Sequence, residues 1–165
     1  MQLTFTLAGP VDAPSLVALR AEAARDLTRR FGEGHWSTEP TERGAAADLR
    51  NAQVWLARRG KQPVGTFRLA TKKPWAIDTA YFTACRRPIY LTNMAVEPKL
   101  QHCGIGRRCI QHAIERVRLW PGDAIRLDAY DADAGAGGFY AKCGFREVGK
   151  VVYRLTPLAY YELVF

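Results

Sequence analysis

Apolar residues recur along this chain in two periods, and the points where the period changes mark its elements. Leu3, Phe5 and Leu7 alternate with Gln2, Thr4 and Thr6, the period of a half-buried strand, and Gly9-Pro10 ends the run. Leu16, Leu19, Ala23, Leu27 and Phe31 then share one face of a helix, with Asp12 as its N-cap, Pro14 in its first turn and a stop near Gly32. Residues 32–40, GEGHWSTEP, read as a glycine-rich loop, either a lid or a helix-helix connection with Trp36 tucked against the core, and a second short helix follows through Ala45, Ala46 and Leu49. QVWLARRG and PVGTFRLAT, joined at Gly60-Lys61, predict an antiparallel hairpin. Residues 72–87 keep no clean period and predict a loop or flap that shapes a pocket.

The second half is organised around Tyr90 to Arg108, YLTNMAVEPKLQHCGIGRR. A strand-like run closes at Val96, Pro98 stops it, and Gly104 and Gly106 let the chain pass close to a ligand. Ile105, Cys109, Ile110, Ala113, Ile114 and Val117 then mark one side of a helix, with Arg107, Arg108, Gln111, Glu115, Arg116 and Arg118 on the other. Pro121-Gly122 ends it, and AIRLDAYD (124–131) predicts a strand, so the three elements form a right-handed parallel crossover. DADAGAGG is turn-rich, FYAKC is a short helix capped by Gly144, and FREVGKVVYRL and LAYYELVF predict two strands joined by Thr156-Pro157.

Composition narrows the class without naming a function. At 165 residues, 48% apolar and 24% charged, the chain fits one globular domain, 1–165, and neither a disordered nor a fibrous protein. The formal charge of +8 fits a nucleic-acid partner, a polyanionic cofactor or merely a basic surface. Lys72, Lys73, Arg86 and Arg87 flank the aromatics of their segment rather than interleave with them, which favours a pocket wall over a single-strand platform. No apolar run of 18 residues and no leader-like start are present, so the expectation is a cytoplasmic protein with no membrane partner. Cys85, Cys103, Cys109 and Cys143 have neither CxxC nor disulfide-scaffold spacing and read as free thiols. No metal is expected: the His102, Cys103, Cys109, His112 spacing matches no common zinc site, and Asp131, Asp133 and Gly135 lack the rest of a calcium loop.

The Gly-x-Gly turn carries the first chemistry. A helix that starts there offers unpaired N–H groups and the positive end of its macrodipole, so an anion should sit over Cys103 to Arg107. A dinucleotide-binding turn would want a third glycine where this chain has Cys109.

Three blocks in order, Met94-Ala95-Val96-Glu97-Pro98, Gln101-His-Cys-Gly104-Ile-Gly106 and Tyr140-Ala-Lys142-Cys-Gly144-Phe145, together with the element order, resemble the GNAT superfamily of N-acetyltransferases across essentially the whole chain. The resemblance implies an α/β (α+β) fold with a mixed, mostly antiparallel central sheet flanked by helices, the parallel crossover lying at the cofactor site. It implies acetyl-coenzyme A as co-substrate, its pyrophosphate held by Gln101 and by the amides of Cys103, Gly104, Ile105, Gly106 and Arg107. Met94 and Val96 would offer backbone groups to the pantetheine arm and thioester. Tyr140 matches the acid that protonates the departing thiolate; a phenol near pKa 10 facing a thiol near 8.5 is about 2 kcal/mol uphill. Tyr90 and Thr92 stand where relatives often carry a base, so the base falls to water leading to one of Glu33, Glu39, Glu42, Asp78 and Asp128. The acceptor would be a small-molecule amine or a peptide amine, and the acids of residues 33–42 hint that it is cationic. The final strand could pair with a second copy in a homodimer. The alternatives are a non-catalytic acyl-coenzyme A sensor and, on charge alone, a nucleic-acid-binding protein.

Overall fold

A seven-stranded sheet divides the molecule into two faces, and the site lies where two of its strands part. The computed structural model describes residues 2–165. In chain order the elements are β1 (Thr4–Leu7), α1 (Ala13–Phe31), α2 (Glu42–Asn51), β2 (Gln53–Arg59), β3 (Gln62–Ala70), β4 (Pro88–Val96), α3 (Ile105–Leu119), β5 (Ala124–Tyr130), α4 (Gly137–Lys142), β6 (Arg146–Tyr153) and β7 (Thr156–Val164), with single 3-10 turns at Pro10–Asp12, His35–Ser37, Thr79–Tyr81 and Pro98–Leu100. The strand order is β1-β2-β3-β4-β5-β7-β6. Every pair is antiparallel except β4 with β5, the crossover expected around α3. The fold class is therefore the mixed, mostly antiparallel sheet anticipated above.

Strand alternation sorts side chains between the faces. Phe67, Leu69, Leu91, Ile125, Leu127, Ala159 and Tyr161 point to the side covered by α3 and α4, where they pack with Ile105, Cys109, Ile110 and Ala113. On the other side Val54 and Leu56 meet Leu16 of α1 and Leu49 of α2. Further along that face, residues 71–87 lay Ile77 and Phe82 on Tyr90 and Tyr160.

That segment is pinned to the sheet and contributes nothing to the lining of the main cavity. Glu162, 2% exposed, accepts Thr83 N–H at 3.0 Å, Thr83 Oγ1–H at 2.6 Å and Arg146 NH2 at 2.6 Å. Burial pushes its carboxyl up, but the bonds from Thr83 and Arg146 outweigh burial and hold it below the usual glutamate range. Buried Arg126 donates to Thr83 O at 2.8 Å and to Tyr90 Oη at 3.2 Å, and Tyr160 Oη–H donates to Ala76 O.

Two local expectations are corrected. The last turn is made by Arg154 and Leu155, at φ 47° and 66°, so Thr156 and Pro157 already lie in β7, where they pair with Tyr153 and Val152. Asp12 does not cap α1 with its side chain: Oδ2 accepts Gly9 N–H at 2.9 Å and Oδ1 takes Arg58 NH2 at 2.6 Å, tying the start of α1 to β2. The predicted second helix does carry a side-chain cap, with Thr41 Oγ1 accepting Gly44 N–H at 3.1 Å.

Candidate active site

The parallel pairing of β4 with β5 is confined to Pro88–Tyr90 against Ala124–Arg126. Beyond that point β4 stays with β3 and β5 with β7, so a slot opens between them. Glu97 N–H bonds Val64 O on β3 at 2.9 Å, and alternation therefore turns the backbone groups of Val96 and Met94 the other way, into the slot. The Val96 carbonyl accepts Gln101 Nε2 at 3.4 Å. A bulge makes this geometry: Asn93 and Met94 together oppose Phe67, and Asn93 sits at φ 51°. Its amide donates to Asp48 Oδ2 of α2 at 3.0 Å, which holds a conformation that costs a non-glycine residue roughly 1 kcal/mol or more.

A cavity of about 520 Å³ follows the slot from one face of the sheet to the other. On the α1 face it is bounded by Ala23, Leu27 and Phe31, and on the α3 face by Phe139 and Tyr140. Its far end is the turn before α3, where Gly104 caps the helix at φ 84°. A Cβ on Gly106 would stand 3.1 Å from the Phe139 ring and force the ring to give way, so glycine keeps the first turn of α3 this close to the cavity wall. The helix start thus faces a cavity rimmed by His102, Arg107 and Arg30, a donor set suited to a phosphorylated ligand. Of the residues anticipated from sequence, Met94, Val96, Gln101, Gly104, Gly106, Arg107 and Tyr140 line this cavity. Cys103 is exposed outside it, and the Ile105 side chain is buried against Gly65, so any part they play is through their amides. Sequence reasoning missed the wall from α1 and Phe139; only the amphipathic face through Ala23 and Leu27 hinted at the first.

Tyr140 is 7% exposed, packed among Phe139, Phe145 and Tyr161, with its hydroxyl 3.8 Å from Met94 Sδ. Burial, then the nearby charge of Asp128, raise its pKa well above the ordinary phenol value, so it stays protonated at neutral pH. Among the five acids considered, four have other roles or face solvent. Glu39 pairs with Arg25 at 3.2 Å, Asp78 Oδ1 accepts Ala80 N–H at 3.0 Å, Glu42 lies exposed in the first turn of α2, and Glu33 is exposed in its loop. Asp128, half-buried on β5, is in none of the ion pairs among the described residues, and burial pushes its carboxyl above the usual aspartate range.

The glycine-rich loop closes over the same end of β5. Trp36 stands edge-on to Tyr130 at 5.8 Å, and Tyr130 Oη–H donates to His35 O at 3.2 Å. Burial raises the Tyr130 hydroxyl as well. Among the described residues no cluster of His, Cys, Asp and Glu could hold a metal ion, and no helix is long and apolar enough to cross a membrane. Cys109 is buried against Gly65, and burial pushes its thiol up to about 12, so it is inert.

Comparison with known proteins gives a consistent picture. The family model of the acetyltransferase (GNAT) family matches residues 21–145. An uncharacterized N-acetyltransferase of Bacillus subtilis, YvbK, is 24% identical over 98 residues, 59% of this chain and 56% of that protein, so the chain spans little more than half of that relative's length. Among solved structures, a GNAT-family acetyltransferase from Streptococcus agalactiae superposes with a TM-score of 0.79 at 18% identity, covering 99% of this chain and 95% of the other. The PaiA N-acetyltransferase from Thermoplasma acidophilum, solved in complex with coenzyme A, gives 0.74 at 13% identity with 100% of each chain covered. At these identities the two structures speak for the fold.

Proposed function

The chain belongs to the acetyltransferase (GNAT) family, and we propose on that footing that it moves the acetyl group of acetyl-coenzyme A to an amine by direct attack on the thioester. The observation that carries this reading is a pair of groups where β4 and β5 part: Asp128, not itself in the cavity lining, turned by alternation along β5 to the α1 face and in none of the ion pairs among the described residues, and Tyr140, a buried phenol in the cavity wall on the α3 face. The coenzyme A complex of the Thermoplasma relative supports the choice of co-substrate, and the donor set at the turn before α3 suits its pyrophosphate.

In this reading Gln101 steadies the turn, and the amides of Cys103, Gly104, Ile105, Gly106 and Arg107 hold the pyrophosphate. Met94 and Val96 present backbone groups to the pantetheine arm and the thioester carbonyl, where an N–H donor offsets the charge that develops on oxygen. Asp128, directly or through one water, takes the proton of the incoming ammonium; its raised pKa makes it a stronger base than an exposed aspartate. Tyr140 gives its proton to the departing thiolate. Lys73 Nζ is bonded to Ile77 O at 2.7 Å within its own segment, and the exposed charge of Lys72, Arg86 and Arg87 remains the only argument for a nucleic-acid partner.

The test is thiol release from acetyl-coenzyme A by the intact chain with a panel of amines. Release that depends on amine, and is lost in Asp128→Asn and Tyr140→Phe while calorimetry still reports coenzyme A binding, is the expected result. Tight coenzyme A binding with no turnover of any amine would replace the transferase by an acyl-coenzyme A sensor.

A further inference from the structure

The floor of the α1 face holds a charge imbalance that the reaction as described does not use. One carboxylate, that of Asp48, serves Arg20 NH1 at 2.9 Å, Arg68 Nε at 3.1 Å and Asn93 Nδ2 at 3.0 Å. The two guanidinium side chains are only 10% and 18% exposed, so the cluster carries one net positive charge largely out of water. Arg20 Nε and NH2 and Arg68 Nε are buried without a hydrogen bond, the last lying within ion-pair range of Asp48 but off the line of a bond. Guanidinium N–H groups taken out of water ordinarily find acceptors, because an unmatched buried charge is costly. The cluster is short of one anion.

Register fixes where that anion would lie. Arg68 pairs with Thr92 across β3 and β4, and its NH1 donates to Thr92 Oγ1 at 3.3 Å. The parallel register Tyr90 to Arg126 places Thr92 level with Asp128, on the same face of the sheet. Arg68, Thr92 and Asp128 therefore form one line across the floor, interrupted by the slot, so its ends lie farther apart at the backbone than the two ordinary strand spacings of about 10 Å. Asn93, beside this line, is exposed to solvent. Neither guanidinium contributes to the perturbation of Asp128, in keeping with two separate poles, one cationic and one anionic.

We propose that Arg20 and Arg68 form an anion subsite for the acceptor, which is accordingly a small amine that also carries a carboxylate, bound with its amine at Asp128 and its carboxylate at the guanidiniums. This rests on the transferase reading above and adds the substrate class. The planar fork of arginine matches a carboxylate in two-point contact, and a monoanion neutralises the single surplus charge where a phosphate dianion would overshoot it. The N-terminus of a peptide with a neutral first residue lacks the anion and would leave the guanidiniums unmatched.

Matched acceptors test the proposal: phenylalanine against phenethylamine, lysine against cadaverine, and β-alanine against ethylamine, each assayed by thiol release with the intact chain. The expected result is a kcat/KM favouring the carboxylate-bearing member of at least one pair by roughly tenfold or more, the discrimination a charged two-point contact supplies. In Arg20→Gln and Arg68→Gln that ratio should collapse towards one, and in Arg68→Lys, which keeps the charge and loses the fork, it should fall part of the way. Calorimetric coenzyme A binding by each variant verifies that it has folded. Equal or faster turnover of the carboxylate-free members, faster turnover of a peptide with a neutral N-terminal residue, or a ratio that survives in both glutamine variants would overturn the subsite while leaving the transferase standing. No turnover of any acceptor, with coenzyme A still bound, would overturn both.

Discussion

Replacing Asp128 by asparagine separates catalysis from stability, because the same burial acts on both in opposite directions. A primary amine with a pKa near 10.4 must lose a proton before attack, which costs about 4–5 kcal/mol at pH 7. A positioned base ordinarily contributes roughly 10²–10⁴ in rate, and Asp128→Asn should lose kcat/KM at pH 7 on that scale. The wild-type profile should show an acid limb set by Asp128 and displaced above the ordinary aspartate range, since burial raises its pKa. In the variant that limb should vanish, leaving a rate that climbs with pH as free amine accumulates. Stability should move the other way. A carboxyl whose folded pKa is raised favours the folded state below its unfolded pKa and loses that contribution as pH rises through the folded value. At neutral pH the half-buried Asp128 charge is therefore a burden, and the asparagine variant should melt higher than wild type, the gap closing on acidification below the normal aspartate range. Paired pH–rate and pH–melting series measure both. An Asp128→Asn enzyme within a few-fold of wild type at neutral pH, with its acid limb intact, would refute the assignment.

The other expectations are more local. Tyr140→Phe should lower kcat by roughly 10²–10⁴ with little change in coenzyme A affinity, read by single-turnover kinetics and calorimetry. Gly106→Val should weaken coenzyme A binding more than Gly104→Ala: the first drives side-chain atoms onto the Phe139 ring 3.1 Å from the Cβ position, whereas the second adds mainly the cost of about 1 kcal/mol for a left-handed non-glycine residue. Glu162→Gln should cost about 1–3 kcal/mol in chemical denaturation by leaving part of the Thr83 and Arg146 donor set unmatched, and should speed hydrogen exchange in residues 71–87. His112, stacked on Phe5 at 4.3 Å with burial lowering its pKa, gives stability that is present above pH 6.5 and lost as pH falls through its folded value; His112→Phe should flatten that part of the melting profile.

What could be read in advance, and what could not, divides by the range of the interaction. The turn before α3 was legible because Gly104 and Gly106 answer to local constraints, a left-handed φ and a missing Cβ, that glycine alone satisfies cheaply. The parallel crossover was legible because periodicity changes in the order strand, helix, strand. The bulge at Asn93 was not: an asparagine in a strand-like run carries no period, and its φ of 51° is held by Asp48, 45 residues earlier. The proposed base, Asp128, was illegible for the same reason. Glu39 and Asp128 look alike in sequence, and only the fold sets Arg25 beside the first and leaves the second outside the ion pairs. The turn at Arg154 and Leu155 has no glycine, asparagine or aspartate to announce it, and the Thr-Pro that follows drew the boundary two residues late.

If Asp128 and Tyr140 act as proposed, the parting of β4 from β5 lets one site hold a base and an acid without their neutralising each other's purpose. Alternation along β5 sends Asp128 to the α1 face, while Tyr140 reaches the slot from α4 on the α3 face, so the carbon under attack would lie between them. On the proposed roles, an amine entering from the α1 face would meet the carboxylate first, and a thiolate leaving towards the α3 face would meet the phenol. The two groups nevertheless feel each other, since the Asp128 charge is among the causes that raise Tyr140. While Asp128 is ionised it helps keep Tyr140 protonated; once Asp128 has accepted the proton of the amine, that hold relaxes and the phenol can give up its own more readily. Taking the Asp128 charge away should therefore lower the Tyr140 pKa. A phenolate titration followed by ultraviolet difference absorbance, with Tyr140→Phe identifying the signal, should find the Tyr140 step at lower pH in Asp128→Asn than in wild type, and an unshifted step would show that the two sites titrate independently.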